Sequence, residues 1–442
     1  MSVRELIMLI VGIGGALYAL REPYVGLLLL VILYFFRPSL WGGESYVTPV
    51  EWITIGTLGG WLLHKRSGIW HRGALWLFLL LCFYSLSSLF APFSSQETWA
   101  ALEAIAKIFV VVFLLVALCD TPSRLAGFVA VVIGANLCFV RVVMTSWLAT
   151  NFSGSVRIDT GIGQGGGANY IAWVLATTLP FLMYKMAKAR GWQRWAAAGL
   201  IPLWLASIIA TGSRGGLLCV VAASLVFLLL MRQAKVILAG AALALTFFLV
   251  APGEYWERMN TITTNPEEMD TSALGRYQNA LAGLSIIQDY PLFGTGLQTF
   301  PMAKMNYVGQ DYVGHRELVA HNTYIQMGSE LGLPFLLIFL LMNAWIVWHL
   351  MRRSRSLVKE DHGDYVAWVR AGILSALAAT AVQMVKGDMA HIDYFWWLYG
   401  VALACVRIRT ESDSLQRDDA ARRITEHTVH RASPLAKGTG GE

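Results

Sequence analysis

The feature that most constrains this chain is a series of apolar runs, most of them close to the length of about 20 residues that crosses a bilayer as a helix. A soluble domain could not bury so many runs, and only 14% of the 442 residues are charged, against about 25% in soluble proteins. The sequence therefore predicts an all-α polytopic membrane protein with about twelve transmembrane helices. The runs are 6–36, 50–63, 74–92, 101–119, 126–148, 168–186, 195–211, 214–231, 235–251, 322–350, 366–387 and 393–408.

Basic clusters between the runs predict the orientation, because Lys and Arg favour cytoplasmic loops. The clusters at 64–72, 185–194, 232–235 and 352–355 satisfy this rule together if both termini are cytoplasmic. The run 6–36, interrupted at Arg21-Glu22-Pro23, is then a single kinked crossing; a double crossing would instead place the N-terminus outside. The net charge of +6 lies largely in these short loops, so it does not indicate nucleic-acid binding.

One segment between two runs, 252–321, is far longer than ordinary helix connections, which span about 2–8 residues. It contains a helical pattern over 273–287 and a Pro-Leu-Phe-Gly-Thr-Gly turn at 291–296. Long loops with internal structure usually carry function. The predicted organisation is transmembrane helices 1–9 over 1–251, a large structured periplasmic loop over 252–321, helices 10–12 over 322–408 and a disordered cytoplasmic tail over 409–442.

Several common kinds of site find no support in the sequence. The five cysteines lie within or beside apolar runs, so neither a disulfide framework nor a zinc site is indicated. The Gly-rich run 161–167 follows no predicted strand and is a weak basis for a dinucleotide site. We expect no metal and no cofactor.

Three polar residues are candidates for chemistry because ionisable groups near membrane depth are costly. Arg214, in the Thr-Gly-Ser-Arg-Gly-Gly turn at 211–216, is either an interfacial arginine or an anion-binding group, and its small neighbours favour the second interpretation. Arg276 opens the helical part of the long loop and could equally be a solvated charge. His321, where the loop re-enters the membrane, could cap a helix or accept a proton near neutral pH.

Other polar residues carry weaker signals. Arg157 and Asn169 flank the Gly-rich outer loop. Glu330, deeper along the helix that follows His321, is expected to pair with a buried group. A structural or solvated role is favoured for the polar residues of the last outer turn, Lys386, Asp388, His391 and Asp393.

Five short elements follow one another along the chain: 211–216, Gly275-Arg276, 289–296 (Asp-Tyr-Pro-Leu-Phe-Gly-Thr-Gly), 321–324 (His-Asn-Thr-Tyr) and 330–332 (Glu-Leu-Gly). Together these motifs resemble the O-antigen ligase superfamily, which includes O-antigen polymerases and protein O-oligosaccharyltransferases. The N-terminal motifs Arg21-Glu22-Pro23-Tyr24 and Arg37-Pro38 are similar to a branch of O-glycosylation ligases linked to exosortase systems.

The resemblance implies a metal-independent, inverting glycosyltransferase in the bacterial inner membrane. It would move a preassembled glycan from undecaprenyl diphosphate to the lipid A–core of lipopolysaccharide, or to a protein hydroxyl. The active site would face the periplasm, and the enzyme would also contact membrane lipids. His321, Arg276 and Arg214 would be catalytic. The predicted substrate-binding residues are Arg157, Asn169, Asn322 and Tyr324.

Two kinds of alternative stay open. Within the superfamily, a polymerase or a protein oligosaccharyltransferase would use the same donor, and the shared motifs do not identify the acceptor. Outside the enzymes, a polysaccharide or lipid flippase is the main alternative. Transporters of that kind typically show repeated halves and broken helices at mid-membrane, and the sequence shows neither.

Overall fold

The computed structural model describes residues 3–36, 49–64, 72–93, 96–151, 167–232, 253, 271–309, 312, 319–352 and 363–411. Within these ranges the chain is helical and no strand occurs, which agrees with the predicted all-α class. The helices are α1 (Val3–Arg21), α2 (Pro23–Phe36), α3 (Pro49–His64), α4 (Arg72–Phe90), α5 (Gln96–Leu118), α6 (Pro122–Ala135), α7 (Leu137–Ala149), α8 (Ala168–Lys188), α9 (Trp192–Ala210), α10 (Arg214–Met231), α11 (Thr271–Asp289), α12 (Phe300–Ala303), α13 (Thr323–Leu331), α14 (Leu333–Met351), α15 (Gly363–Lys386) and α16 (393–411).

In the described part of the chain, seven helical segments are long and apolar enough to cross a membrane. They are α4, α5, α6 with α7, α8, α10, α14 and α15, while α1 and α2 are shorter apolar helices. These segments bear out a multi-pass membrane protein, and the count of about twelve crossings stays a prediction. The predicted run 235–251, Arg157 and most of the tail 409–442 lie outside the described residues.

Three predicted runs are each divided into two helices. The run 126–148 divides at Asn136, between α6 and α7. The run 6–36 breaks at Glu22, between α1 and α2, where the sequence predicts the interruption. Pro23 contributes no backbone N–H donor, and the first turn of a helix, where that donor has no intrahelical partner, accommodates it best. The single helix predicted over 322–350 is wrong: the structure has α13 and α14 there, divided at Gly332.

The division at Gly332 has a steric cause. Its φ of +87° belongs to a region that favours glycine, and a Cβ at this position would collide with the backbone of Leu292 and Phe293. The chain therefore leaves the helix and restarts with Pro334 in the first turn of α14. The candidate membrane span begins at Leu333, so α13 precedes it.

Helix α8 is the centre of the bundle and packs against α9, α10 and α15. Buried polar pairs fix these contacts: Trp173 Nε1 donates to Thr380 Oγ1 at 3.1 Å. Trp204 Nε1 likewise donates to Thr178 Oγ1 at 2.9 Å. Burying such donors without partners would be costly, so these bonds specify how the helices that carry the candidate site pack together.

The Pro-Leu-Phe-Gly-Thr-Gly turn packs backbone to backbone against the end of α13. Thr295 N donates to Ser329 O and Gly296 N donates to Glu330 O, both at 2.9 Å. Ser87 Oγ in α4 reaches both segments, with bonds of 2.7 Å to Phe293 O and 2.9 Å to Glu330 O. The turn at 291–296 and the Glu-Leu-Gly motif at 330–332 are therefore parts of one hydrogen-bonded unit.

Replacing Gly294 by alanine is expected to lower the free energy of unfolding by at least about 2 kcal/mol. Gly294 has a φ of +66°, and a Cβ there would lie 2.6 Å from Leu331 N. Thermal unfolding in detergent measures the effect. Gly309→Ala is the matched control, because nothing lies within 4 Å of a Cβ at Gly309. Equal melting temperatures of the two variants would contradict the close packing of this turn against α13.

Candidate active site

The turn before α10 holds Arg214 at the N-terminus of that helix. Ser213 is the N-cap residue, and its Oγ accepts a bond of 3.0 Å from Gly216 N. The same hydroxyl donates to Asn169 Oδ1 of α8 at 2.7 Å. Half-buried Arg214 is therefore the first residue of a helix whose N-terminal N–H groups and dipole favour anions.

Helix α10 brings Arg214 close to the end of α15. A Cβ added at Gly215 would lie 3.6 Å from Lys386 Cδ and 3.3 Å from Gln383 Oε1. Lys386 interacts electrostatically with both Arg214 and Arg276. Three cations from α10, α11 and α15 thus share one region, although each comes from a different part of the sequence.

Arg276 is exposed in the first turns of α11, and α11 packs on α13. One turn after Arg276, Asn279 belongs to a buried polar network. Lys304 Nζ donates to Asn279 Oδ1 at 3.2 Å and to Tyr312 OH at 3.0 Å. Burial lowers the pKa of Lys304 to about 8. This lysine is fully buried, and it adds a further cation to the region around His321.

His321 lies directly before α13 in a strained backbone conformation. Its φ is +53°, which is uncommon for residues other than glycine and is often retained at functional sites. The imidazole is half-buried. Burial and then the nearby positive charge of Arg276 lower the pKa of His321, so its neutral form, the form that accepts a proton, persists to lower pH than in a free histidine.

A buried hydrogen-bond chain holds the backbone beside His321. Ala320 N donates to Gln326 Oε1 at 2.7 Å, and Gln326 Nε2 donates to Glu330 Oε1 at 2.7 Å. Phe300 N donates to the same carboxyl oxygen at 2.9 Å. Burial, followed by the charge of Asp388, raises the pKa of Glu330 to about 8. Glu330 therefore pairs with buried groups, as predicted, and supports the geometry of His321.

The turn after α15 is tied to the start of α13. Thr323 Oγ1 donates to Gly387 O at 2.6 Å and accepts from Met389 N at 3.0 Å. Asp388 Oδ2 lies 3.0 Å from His391 Nδ1. Burial alone would lower the pKa of His391, but the Asp388 carboxylate outweighs it and the net shift is upward. The pKa of His321 is thus lowered and that of His391 raised, although both lie in one region.

The predicted substrate-binding residues have different surroundings. Asn169 accepts from Ser213 and so supports the turn of Arg214. Asn322 caps α13, accepting from Tyr324 N at 3.0 Å and Ile325 N at 3.2 Å. Tyr324 is half-buried beside the main core, and Arg157 is outside the described residues. Their roles toward a substrate stay predictions.

The structure brings into this region three groups to which the sequence assigned no catalytic or binding role. Lys304 received no interpretation from the sequence, and a structural or solvated role was favoured for Lys386, Asp388 and His391. The available signal was the density of ionisable residues at 386–393, which is unusual beside a membrane span. No group of three or more His, Cys, Asp or Glu suited to a metal occurs in the part of the chain that the structure describes.

The arrangement combines clustered cations with an imidazole whose neutral form is favoured by its lowered pKa, so it can hold an anion beside a proton acceptor. Residues 198–340 match the family model described as O-antigen ligase, and over this segment the match supports the superfamily that the motifs predicted. The matched segment contains Arg214, Arg276 and His321. It does not reach the N-terminal motifs, so the exosortase-linked branch stays a prediction. No curated protein matches the chain significantly.

Proposed function

We propose that this chain, a member of the O-antigen ligase superfamily, transfers a preassembled glycan from undecaprenyl diphosphate to the lipid A–core of lipopolysaccharide at the periplasmic face of the bacterial inner membrane. The observation that carries the proposal is the cationic cluster of Arg214, Arg276 and Lys386. The charge of Arg276 also lowers the pKa of His321, which supports a diphosphate site next to a base for the acceptor hydroxyl.

The reaction is a displacement at the anomeric carbon of the donor sugar. The acceptor hydroxyl oxygen forms the new glycosidic bond while the bond from that carbon to the diphosphate oxygen breaks. The electron pair leaves with undecaprenyl diphosphate, and the hydroxyl proton passes to the neutral imidazole of His321. Attack from the face opposite the leaving group inverts the anomeric configuration, and the sugar–diphosphate bond supplies the driving force without ATP.

The cations stabilise the charge that develops on the leaving diphosphate. Arginine guanidinium groups bind phosphate oxygens through two parallel donors, whereas a lysine acts as a point charge. Arg214 adds its charge to that of the α10 N-terminus, and Arg276 approaches from α11. Preorganised charges of this kind act more strongly where water is excluded, and Arg214 is half-buried.

The location of the cluster suits a lipid-linked donor. Arg214 begins the candidate span Arg214–Met231, and Lys386 ends the candidate span Tyr365–Lys386. A diphosphate bound between them would sit at the end of the apolar bundle, and its polyprenyl tail could remain in the lipid.

The test uses purified protein, undecaprenyl-diphosphate-linked glycan and three separate acceptors: lipid A–core, an acceptor protein and a second lipid-linked glycan. We expect transfer to lipid A–core, read as a mass increase of one glycan unit. Extension of the lipid-linked glycan would assign a polymerase instead, and modification of the protein alone would assign an oligosaccharyltransferase. Movement of the donor across liposomes without any transfer would contradict the enzyme and favour a flippase.

A further inference from the structure

A cavity lies at the other end of the bundle from the candidate active site. It has a volume of about 390 Å³ and is bounded by α6, the end of α8, the start of α9 and the start of α15. Helix α8 shows the separation: Asn169 supports Arg214 at its start, and Lys185 borders the cavity near its end. Sixteen residues of helix span about 24 Å, so the cavity is a separate site.

Small residues create the space between α6 and α9. Ala126, Gly127 and Ala130 line the α6 side, while Ala196 and Ala197 line the α9 side. Ala130 and Ala196 remain exposed, so nothing in the described protein fills the space beside them. The volume lies within the range of about 300–1,000 Å³ typical of ligand pockets, and the walls are mainly apolar.

One edge of the cavity carries a positioned cation. Lys185 Nζ lies 4.3 Å from the centre of the Trp368 ring and 5.6 Å from that of Tyr365. The Trp368 ring is itself fixed, because its Nε1 donates to Phe181 O at 2.9 Å. A cation stacked on two rings is held in place, and the polar side chains of Ser123 and Gln193 also line the cavity. The site is thus polar at its edge and apolar within.

The surroundings fit a membrane–water boundary. Lys185 and Lys188 are in the last turn of α8, and Trp192 and Trp195 are 77% and 73% exposed at the start of α9. Basic residues and tryptophans together mark the level of lipid headgroups. Basic groups at this level attract anionic lipids.

We propose that this cavity binds one anionic phospholipid, with its phosphate at Lys185 and part of an acyl chain between α6 and α9. The positive charge selects the headgroup, and the small residues make room for the chain. A zwitterionic lipid fits the same apolar space but loses the net attraction to Lys185. A soluble phosphate ester lacks the chain and forfeits the apolar contacts.

Native mass spectrometry of the full-length protein in detergent, titrated with phosphatidylglycerol and phosphatidylcholine of matched chains, tests the proposal. We expect stronger retention of phosphatidylglycerol, and an approximately fivefold loss in Lys185→Met, the effect of about one basic residue near a charged lipid surface. Lys188→Met is the matched control, because it removes the same charge from the same helix but Lys188 does not line the cavity.

Ala130→Leu fills the cavity without changing charge and should weaken retention of both lipids. It alters an exposed side chain, so it keeps the proposal testable if Lys185→Met fails to fold. Equal retention of the two lipids by the unmodified protein, or an equal loss in Lys188→Met, would overturn the proposal. Displacement of phosphatidylglycerol by inorganic phosphate at a similar concentration would overturn it in favour of a soluble anion.

Discussion

Replacing His321 by alanine is expected to reduce glycan transfer by about 10²–10⁴-fold, the usual contribution of a general base, while donor binding is largely retained. The imidazole is half-buried and its pKa is lowered by burial and by Arg276, which favours the neutral form that can accept a proton. Single-turnover transfer in vitro, together with binding of the lipid-linked donor measured separately, distinguishes the two effects.

The control variant is His321→Gln, which can donate a hydrogen bond but cannot accept a proton near neutral pH. If His321 only orients the diphosphate, the Gln variant should retain substantial transfer, and the base role is then rejected. Because the native φ is +53°, both variants carry the same backbone strain. Their thermal unfolding in detergent should be compared to separate loss of chemistry from loss of structure.

The acid limb of the transfer rate against pH gives a second readout of the same residue. A lowered pKa means that the base form survives as the pH falls, so the limb should lie below pH 6.5, the ordinary pKa of histidine. Arg276 lowers and Asp388 raises the pKa of His321. Residual activity of Arg276→Gln should therefore show the limb at higher pH, and that of Asp388→Asn at lower pH. If neither variant shifted the acid limb, the result would contradict the assignment of that limb to the titration of His321.

Local sequence patterns predicted much of the fold because each pattern lies within one segment and does not depend on contacts with distant parts of the chain. Helix α11, predicted over 273–287, spans Thr271–Asp289, and the break of the first run occurs at the predicted interruption. The division of α13 from α14 was missed because Glu330-Leu331-Gly332 lies inside a long apolar run. A glycine two residues before Pro334 was the available signal, since such a pair commonly ends one helix and begins another.

The composition of the site depended on contacts that no local pattern encodes. The hydroxyl of Thr323 ties the turn at 387–389 to α13, and the sequence assigned no role to this residue of the 321–324 motif. The buried ammonium group of Lys304 donates to Asn279 and Tyr312, and Asn279 lies 25 residues away along the chain. The sequence could nominate Arg214, Arg276 and His321, whereas the cations and carboxylate around them follow from tertiary packing.

Arg214→Ala and Arg276→Ala are each expected to lower transfer by about 10²–10³-fold, the usual cost of removing one electrostatic group from a transition state. Both residues interact with Lys386, so both charges act in the region where we place the leaving diphosphate. Lysine variants should recover part of the loss at each position, because they restore the charge but not the paired donors of guanidinium.

The double variant tests whether the two arginines act on one ligand. Independent sites would give a loss equal to the product of the two single losses, because their free-energy effects add. Groups that stabilise the same charge are coupled, and the second removal then costs less than the first. We therefore expect the double variant to fall short of the product by at least about tenfold, which corresponds to a coupling of about 1.4 kcal/mol.

Arg194→Ala is the matched control, because it removes an exposed arginine from α9 at the end of the bundle distant from Arg214. It should leave transfer unchanged at equal protein levels in the membrane. Full transfer by both single variants would remove the diphosphate site from this region. If the two single losses instead multiplied in the double variant, the arginines would act at different places. One of them would then bind the acceptor or stabilise the packing of the outer helices.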